Sequence, residues 1–403
     1  MIDFSEFSSI QERLLRHTPS GVQRALHRSI DWGERLIGLS GARGTGKTTL
    51  LLQHLGRPEA GGLKSLYLSA DHVRVEAIGL YDIGSEFFQM GGELLVIDEI
   101  HKQVKWTQTL KSLYDAFPAA QIIFSGSSPL HLHVGKVDLS RRVVYYTLPT
   151  LSFREYLAFT TGHEHEPCAL DELLENHVAV ARDVLRRGPV LGHFRDFLHH
   201  GAYPFFLEGV ASYHDRLRNV IEKTLYEDIA GTSSIQSGGI PVLKKILWQV
   251  ASAQPFQLNI ERLASNLGIS RPTLYTYLGH LERARLLTSV MPQAPGSARA
   301  RKPEKLFLEN TNLLRAVGEP ITLEDPRGNI RETFFARQAR NAGLPVTAAK
   351  SGDFVIDSRL FEIGGKRKSF KQVAGRADAY VVRDDIEVGM HRVIPLWLFG
   401  FLY

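Results

Sequence analysis

Cysteine is almost missing from this chain: Cys168 is the single one among 403 residues. That excludes an internal disulfide framework and a cysteine-based zinc site, and it fits a reducing, cytoplasmic setting. Long apolar runs are missing as well. The longest candidate, Val393 to Tyr403, contains Pro395 and falls short of the roughly 18 apolar residues that a spanning helix needs, so no membrane contact is expected. The first residues, MIDFSEFSSIQERLL, mix acids and bases without the basic-then-apolar order of a secretory signal. Internal repeats and low-complexity blocks are lacking, which sets aside solenoid and disordered architectures. Nor is there a strong charge imbalance. A net charge of +5 and a pI near 9.1 permit contact with nucleic acid or another anionic partner without requiring it. What the chain does have is 43% hydrophobic residues, enough at this length for roughly two to four domains, each with its own core.

The most informative stretch is RLIGLSGARGTGKTTLLL, Arg35 to Leu52. An apolar run, Leu36 to Leu39, leads into Gly41-Ala42-Arg43-Gly44-Thr45-Gly46-Lys47-Thr48, which fits G-x-x-x-x-G-K-[ST] at every fixed position, and Thr49 opens a helix-forming segment. Glycines at 41, 44 and 46 let the backbone wrap so that successive N–H groups converge on one anion. The helix that follows adds its N-terminal dipole, Lys47 reaches toward β and γ phosphates, and the Thr48 hydroxyl serves as a Mg²⁺ ligand. A chance glycine-rich turn would lack the strand before and the helix after.

Downstream, Glu93 to His101 reads as an apolar strand ending in two adjacent carboxylates. Acids at the carboxyl end of a buried parallel strand sit where such sheets bind ligands. Asp98 is therefore expected in the Mg²⁺ coordination shell, and Glu99 to polarise the water that attacks the γ-phosphate. On its own the pair would read as a strand cap of exposed acids. The next strand, Gln121 to Ser128, ends in small hydroxyl residues, of which Ser127 is nominated to contact the γ-phosphate or the attacking water. Arg141 and Arg142 precede a further strand, Val143 to Leu148, and are candidates to stabilise transition-state charge, in cis or from a neighbouring subunit.

The loop GARGTGKTT, the strands VIDEIHK and IIFSGSS, and Leu148 to Leu157 (LPTLSFREYL) together resemble a bacterial and archaeal family of AAA+-like P-loop ATPases. The resemblance implies a RecA/AAA+-like parallel sheet with flanking helices, ATP and Mg²⁺ as cofactors, and a C-terminal endonuclease-like domain. Family members of this kind act alone or as homo-oligomers with arginines supplied in trans.

Residues 152–230 carry apolar positions at helical spacing, including Phe153, Tyr156, Leu157, Leu217 and Leu225, and read as a helical lid or connector. His163-Glu164-His165-Glu166 reads as a solvated loop, because no third and fourth metal ligand follow at the usual spacings. Beyond the linker SSIQSGG the order is helix, helix, turn, helix, hairpin, a winged-helix pattern. Arg271, Thr273, Tyr275 and Tyr277 on the third helix, with Arg299, Arg301 and Lys302 in the hairpin loop, are candidates to touch duplex DNA. The competing reading is a protein-packing module. In the last part of the chain, Glu332 on a helix-like run, Asp353 opening DFVID and Glu362 in LFEIGGK resemble the acids of the restriction-endonuclease-like (PD-(D/E)xK-like) fold. The lysine expected two places after Glu362 is replaced by Gly364, and Lys366 is the nearest substitute. A retained fold without cleavage is the expectation.

The predicted architecture is thus α/β, with a P-loop ATPase core and N-terminal helices at 1–149, a helical lid or connector at 150–239, a winged helix at 240–308 and a degenerate endonuclease-like domain at 309–403. The predicted activity is ATP hydrolysis driving a switch on DNA or a protein partner. The alternatives are an ATP-regulated metal-dependent nuclease and a nucleotide-binding assembly module that does not hydrolyse.

Overall fold

Strands Leu36–Ser40 and Leu94–Asp98 of the N-terminal half are buried along their whole length, as expected of central strands covered by helices on both faces. In the computed structural model, which describes residues 2–57, 62–126, 139, 141–231, 235, 237–252, 259–293, 303–318, 327–373 and 375–403, contacts divide the chain into two units, Met1–Thr150 and Leu151–Tyr403.

The first unit holds a five-stranded parallel sheet. Leu36–Ser40 (β1), Ser65–Ser69 (β2), Leu94–Asp98 (β3), Gln121–Gly126 (β4) and Val144–Thr147 (β5) run in the order β2-β3-β4-β1-β5. The period-2 geometry of a strand sends alternate residues to opposite faces. Leu95, Ile97, Ile122 and Phe124 face one core with Leu110 and Leu113 of the Trp106–Ala116 helix. Leu94, Val96, Ile123 and Tyr67 face the other, with Leu50, Leu51, Leu52 and Leu55 of the Lys47–Leu55 helix. The same parity turns Asp98 and Ser125 toward the face that carries the Lys47–Leu55 helix.

From the sequence, Val73 to Met90 reads as a helix with an interruption at Gly84; the structure has two helices there, Val73–Ile78 and Leu80–Gln89. The break falls at Gly79, whose φ of +100° suits glycine. Gly84 instead lies inside the second helix, where a Cβ would come within 2.8 Å of Leu113.

The second unit begins with helices. Ser152 caps Phe153–Thr161 through a reciprocal pair with Glu155, in which each side chain bonds the other's backbone N–H. Helices Leu170–Leu185, Leu191–His200 and Tyr213–Lys223 follow. Next come Ile240–Ser252, Ile260–Leu267 and Arg271–Arg283, in the order read from the sequence. Gly268 ends the middle one at φ +67°, and Ser270 caps the third by accepting from the Thr273 N–H. Leu287–Val290 (β6) pairs antiparallel with Lys305–Leu308 (β7). After helices Thr311–Gly318 and Arg327–Asn341, a second sheet is built from Thr347–Ala348 (β8), Phe354–Ile356 (β9), Arg359–Gly364 (β10), Ala379–Arg383 (β11) and Val393–Pro395 (β12), in the order β12-β11-β10-β9-β8. The β8-β9-β10 strands are antiparallel and β10-β11-β12 parallel. Phe335 of the Arg327–Asn341 helix packs on this sheet against Phe354, Phe361 and Phe399. Among the described residues no helix is long and apolar enough to cross a membrane, and no three His, Cys, Asp or Glu side chains are grouped to hold a metal ion.

Candidate functional site

The phosphate-loop motif lies between β1 and the Lys47–Leu55 helix, at the carboxyl edge of the sheet. Gly44 and Gly46 take φ of +79° and +91°, the left-handed values that a side chain disfavours. Gly41 is required for a different reason. Its backbone is nearly extended, at φ +158°, but an added Cβ would fall 2.5 Å from the Leu148 carbonyl oxygen. The motif thus needs two glycines for the turn and one for clearance.

Inside the loop the Lys47 ammonium is buried and donates to the carbonyls of Gly41 (3.0 Å) and Ala42 (3.1 Å). The Thr45 hydroxyl donates to the Ala42 carbonyl at 2.8 Å. Arg43 and Gly44 form the outer part of the turn, and Thr49 is exposed on the first turn of the helix. Thr48 turns inward, its hydroxyl donating to Asp98 Oδ2 at 2.5 Å. The two residues nominated for Mg²⁺ are therefore side by side, and their oxygens fit a hard divalent cation.

Three residues of this site escaped the sequence reading. Ser125, fully buried, donates to Asp98 Oδ1, and the Tyr67 hydroxyl donates to Asp98 Oδ2 at 3.1 Å. Burial, with the Asp98 charge beside it, pushes the Tyr67 phenol up, so it stays a neutral donor. Strand register held the signal for Ser125: Ile97 pairs with Phe124, which sets Asp98 and Ser125 abreast. Ser127, the residue nominated on that strand, lies outside the described residues. The third is Arg24, buried, which donates to the Thr45 carbonyl (2.7 Å) and the Pro149 carbonyl (2.8 Å).

Glu99 follows Asp98 at φ +52°, an uncommon conformation for a residue with a Cβ. Its Oε2 lies 3.3 Å from Nε2 of the buried His101. Strained backbone of this kind collects at functional sites, at a cost on the order of 1–3 kcal/mol.

Arg141 and Arg142 are placed otherwise than expected. They precede β5, and Val144 pairs with Ile37 near the start of β1, whereas the loop follows Ser40. At a rise of about 3.3 Å per residue they stand on the order of 10 Å from the loop end of the sheet. Arg142 makes a two-pronged pair with Asp115 at 3.0 Å for each contact. The strand carries this pair toward the amino edge of the sheet.

In the second unit, Arg271 pairs with Glu261 at 3.2 Å, both exposed. Thr273 is engaged with the Ser270 cap, its Oγ1 2.7 Å from Ser270 Oγ, and Tyr275 is exposed. Arg299, Arg301 and Lys302 lie outside the described residues.

The C-terminal acids come together, but with company. Lys305 of β7 donates to Glu332 Oε2 at 2.9 Å and reaches Asp353 Oδ1 at 3.4 Å. Asp353 Oδ2 accepts from the Ile363 N–H at 2.7 Å. Glu362 is buried and ion-paired with Lys368. Lys366, the nominated residue, is exposed, so the lysine that reaches Glu362 stands two places further on. Burial, and then the neighbouring Asp353 charge, push the Glu332 carboxyl up to about 7 against the pull of Lys305, and burial also raises Glu362.

With this geometry established, comparison with known proteins shows what parts of the chain are similar to. Residues 33–157 match the model of an AAA domain. Residues 191–324 match a domain of unknown function, DUF8612. The chain is 28% identical over 370 residues to an uncharacterized protein, MJ1637, of Methanocaldococcus jannaschii, covering 84% of this chain and 77% of that protein. Among solved structures it is similar to the Walker-type ATPase PABY2304 of Pyrococcus abyssi, with a TM-score of 0.39 and 12% identity over 79% of this chain and 96% of that one. It is also similar to AMPPCP-bound DnaA from Aquifex aeolicus, with a TM-score of 0.25 and 14% identity over 70% and 89% of the two chains.

Proposed function

We propose that this protein binds ATP with Mg²⁺ at Gly41 to Thr49 and hydrolyses it, and that the cycle drives a switch acting on DNA or on a protein partner. The contact between Thr48 and Asp98 carries the reading, because it joins the end of the phosphate loop to the acid of the neighbouring strand. The loop N–H groups cradle the phosphates, and Lys47, released from the Gly41 and Ala42 carbonyls, pairs with their outer oxygens. Mg²⁺, held by Thr48 and Asp98, would supply the positive charge that offsets the β and γ oxygens. Glu99 orients and polarises the attacking water.

The target side rests on the second unit. Helices Ile240–Ser252, Ile260–Leu267 and Arg271–Arg283 followed by the β6–β7 hairpin support a winged-helix module over 240–308. Arg271, Thr273 and Tyr275, with Arg299, Arg301 and Lys302, are its proposed DNA-facing residues. Residues 150–239 would be the connector and 309–403 a degenerate endonuclease-like domain, in a cytoplasmic protein that can self-associate.

The test is the rate of phosphate release, with and without duplex DNA, across a range of protein concentration. The expected result is Mg²⁺-dependent turnover that vanishes in Lys47→Ala and Glu99→Gln. Turnover as fast in both variants as in the parent would refute the assignment. ATP binding without any phosphate release in a single turnover would leave an assembly module instead.

A further inference from the structure

The carboxylates of the second unit are arranged around fixed cations, and this bears on what they can bind. Glu332 on the Arg327–Asn341 helix, Asp353 before β9 and Glu362 on β10 converge from three elements. Metal-dependent phosphodiester cleavage at such acids requires oxygens open to a divalent cation. Here the Lys305 ammonium occupies the space between the first two, 2.9 Å from Glu332 and 3.4 Å from Asp353. The Phe354 ring closes its remaining side, with the centroid 4.8 Å from Nζ. Asp353's other oxygen is used by the Ile363 N–H.

Glu362 is held by Lys368, whose stem lies across Gly364 so closely that a Cβ there would fall 2.5 Å from Lys368 Cδ. The Glu362 Oε2 atom has no hydrogen-bond partner among the described residues. One open oxygen is a single ligand, where divalent cations require several. The two other acids share the ammonium of Lys305, while the other oxygen of Glu362 meets that of Lys368. Charge agrees with geometry, since three carboxylates meet two fixed positive charges, and a divalent ion would have to expel Lys305 before it had two acids to bind. Buried charges need partners, and an ammonium tethered in the chain supplies one at all times.

We infer that Lys305 is a built-in counter-cation that takes the position of a divalent metal, so that the acid cluster is a brace rather than a metal centre. The brace joins the β6–β7 hairpin to the C-terminal sheet, because Lys305 belongs to β7 and its acids to the Arg327–Asn341 helix and the strand entry at 353. The hairpin is thereby fixed to the sheet by charge as well as by packing. This inference is independent of whether the first unit hydrolyses ATP.

The experiment titrates the full-length protein, without nucleotide, with Mn²⁺ alone and follows the free-ion signal by electron paramagnetic resonance. The parent is expected to take up no Mn²⁺ that Glu332→Gln, Asp353→Asn or Glu362→Gln removes. Lys305→Met, shown folded by circular dichroism, is expected to gain one Mn²⁺ per chain, lost again when Glu332→Gln is added. Parent uptake abolished by any of the three acid variants would overturn the inference. So would a folded Lys305→Met protein that gains no Mn²⁺.

Discussion

Acids in the two units of this molecule are satisfied in opposite ways. Asp98 in the first unit accepts hydrogen bonds from three neutral hydroxyls, those of Thr48, Tyr67 and Ser125. Glu332, Asp353 and Glu362 in the second unit are matched by the ammonium groups of Lys305 and Lys368. A neutral donor orients a carboxylate without cancelling its charge, and leaves it attractive to a cation brought from solution. A lysine does both at once, and the same acid becomes part of the scaffold.

The contrast can be broken from either side. Glu99→Gln should lower phosphate release by about 10²- to 10⁴-fold, the usual contribution of a positioned general base, while ATP binding measured by fluorescence of a labelled analogue persists. Retained turnover would move the water-activating role elsewhere. Lys305→Met should destabilise the second unit by about 3–5 kcal/mol in urea unfolding, because it leaves the buried Glu332 beside Asp353 without their shared cation. Adding Glu332→Gln should recover part of that loss, and equal loss in single and double variants would show that the pair is not coupled. Tyr67→Phe keeps the ring in the core and removes one hydroxyl from Asp98. It should raise the Mg²⁺ concentration for half-maximal turnover by about 10-fold, as the loss of groups that orient metal ligands commonly does, and leave nucleotide binding in EDTA unchanged. An unchanged Mg²⁺ requirement would count against neutral orientation of Asp98. Arg142→Ala should alter turnover least of all, since its guanidinium is spent on Asp115. A large drop in turnover would restore it to the phosphate site.

The P-loop core was legible because its signals are local. The glycines, Lys47 and Thr48 are contiguous, and the apolar run before Asp98-Glu99 marks a buried strand by composition alone. What depended on register or on distant partners was not. Ser125 emerges only once β3 and β4 are aligned, and a tyrosine among apolar neighbours in SLYLS reads as core until its hydroxyl is seen on Asp98. The acids at 332, 353 and 362 were visible, but their cation came from Lys305, on a hairpin strand whose apolar pattern gave no reason to look there. The place of Arg141 and Arg142 was not legible, because the residues alone show that they precede a strand and not how its register sets them against the phosphate loop.

Arg24 ties the phosphate loop, at the Thr45 carbonyl oxygen, to the segment after β5, at that of Pro149. Every residue type offers a carbonyl at those positions, so this tie is robust to exchange of the side chains it grips and vulnerable at a single codon. Even Arg24→Lys, which keeps the charge, replaces a planar fork by a single donor centre and cannot hold both oxygens in the same way. Genetic tolerance around the loop should therefore be lopsided, permissive where the contacts are received and strict at position 24, in a segment that no motif marks.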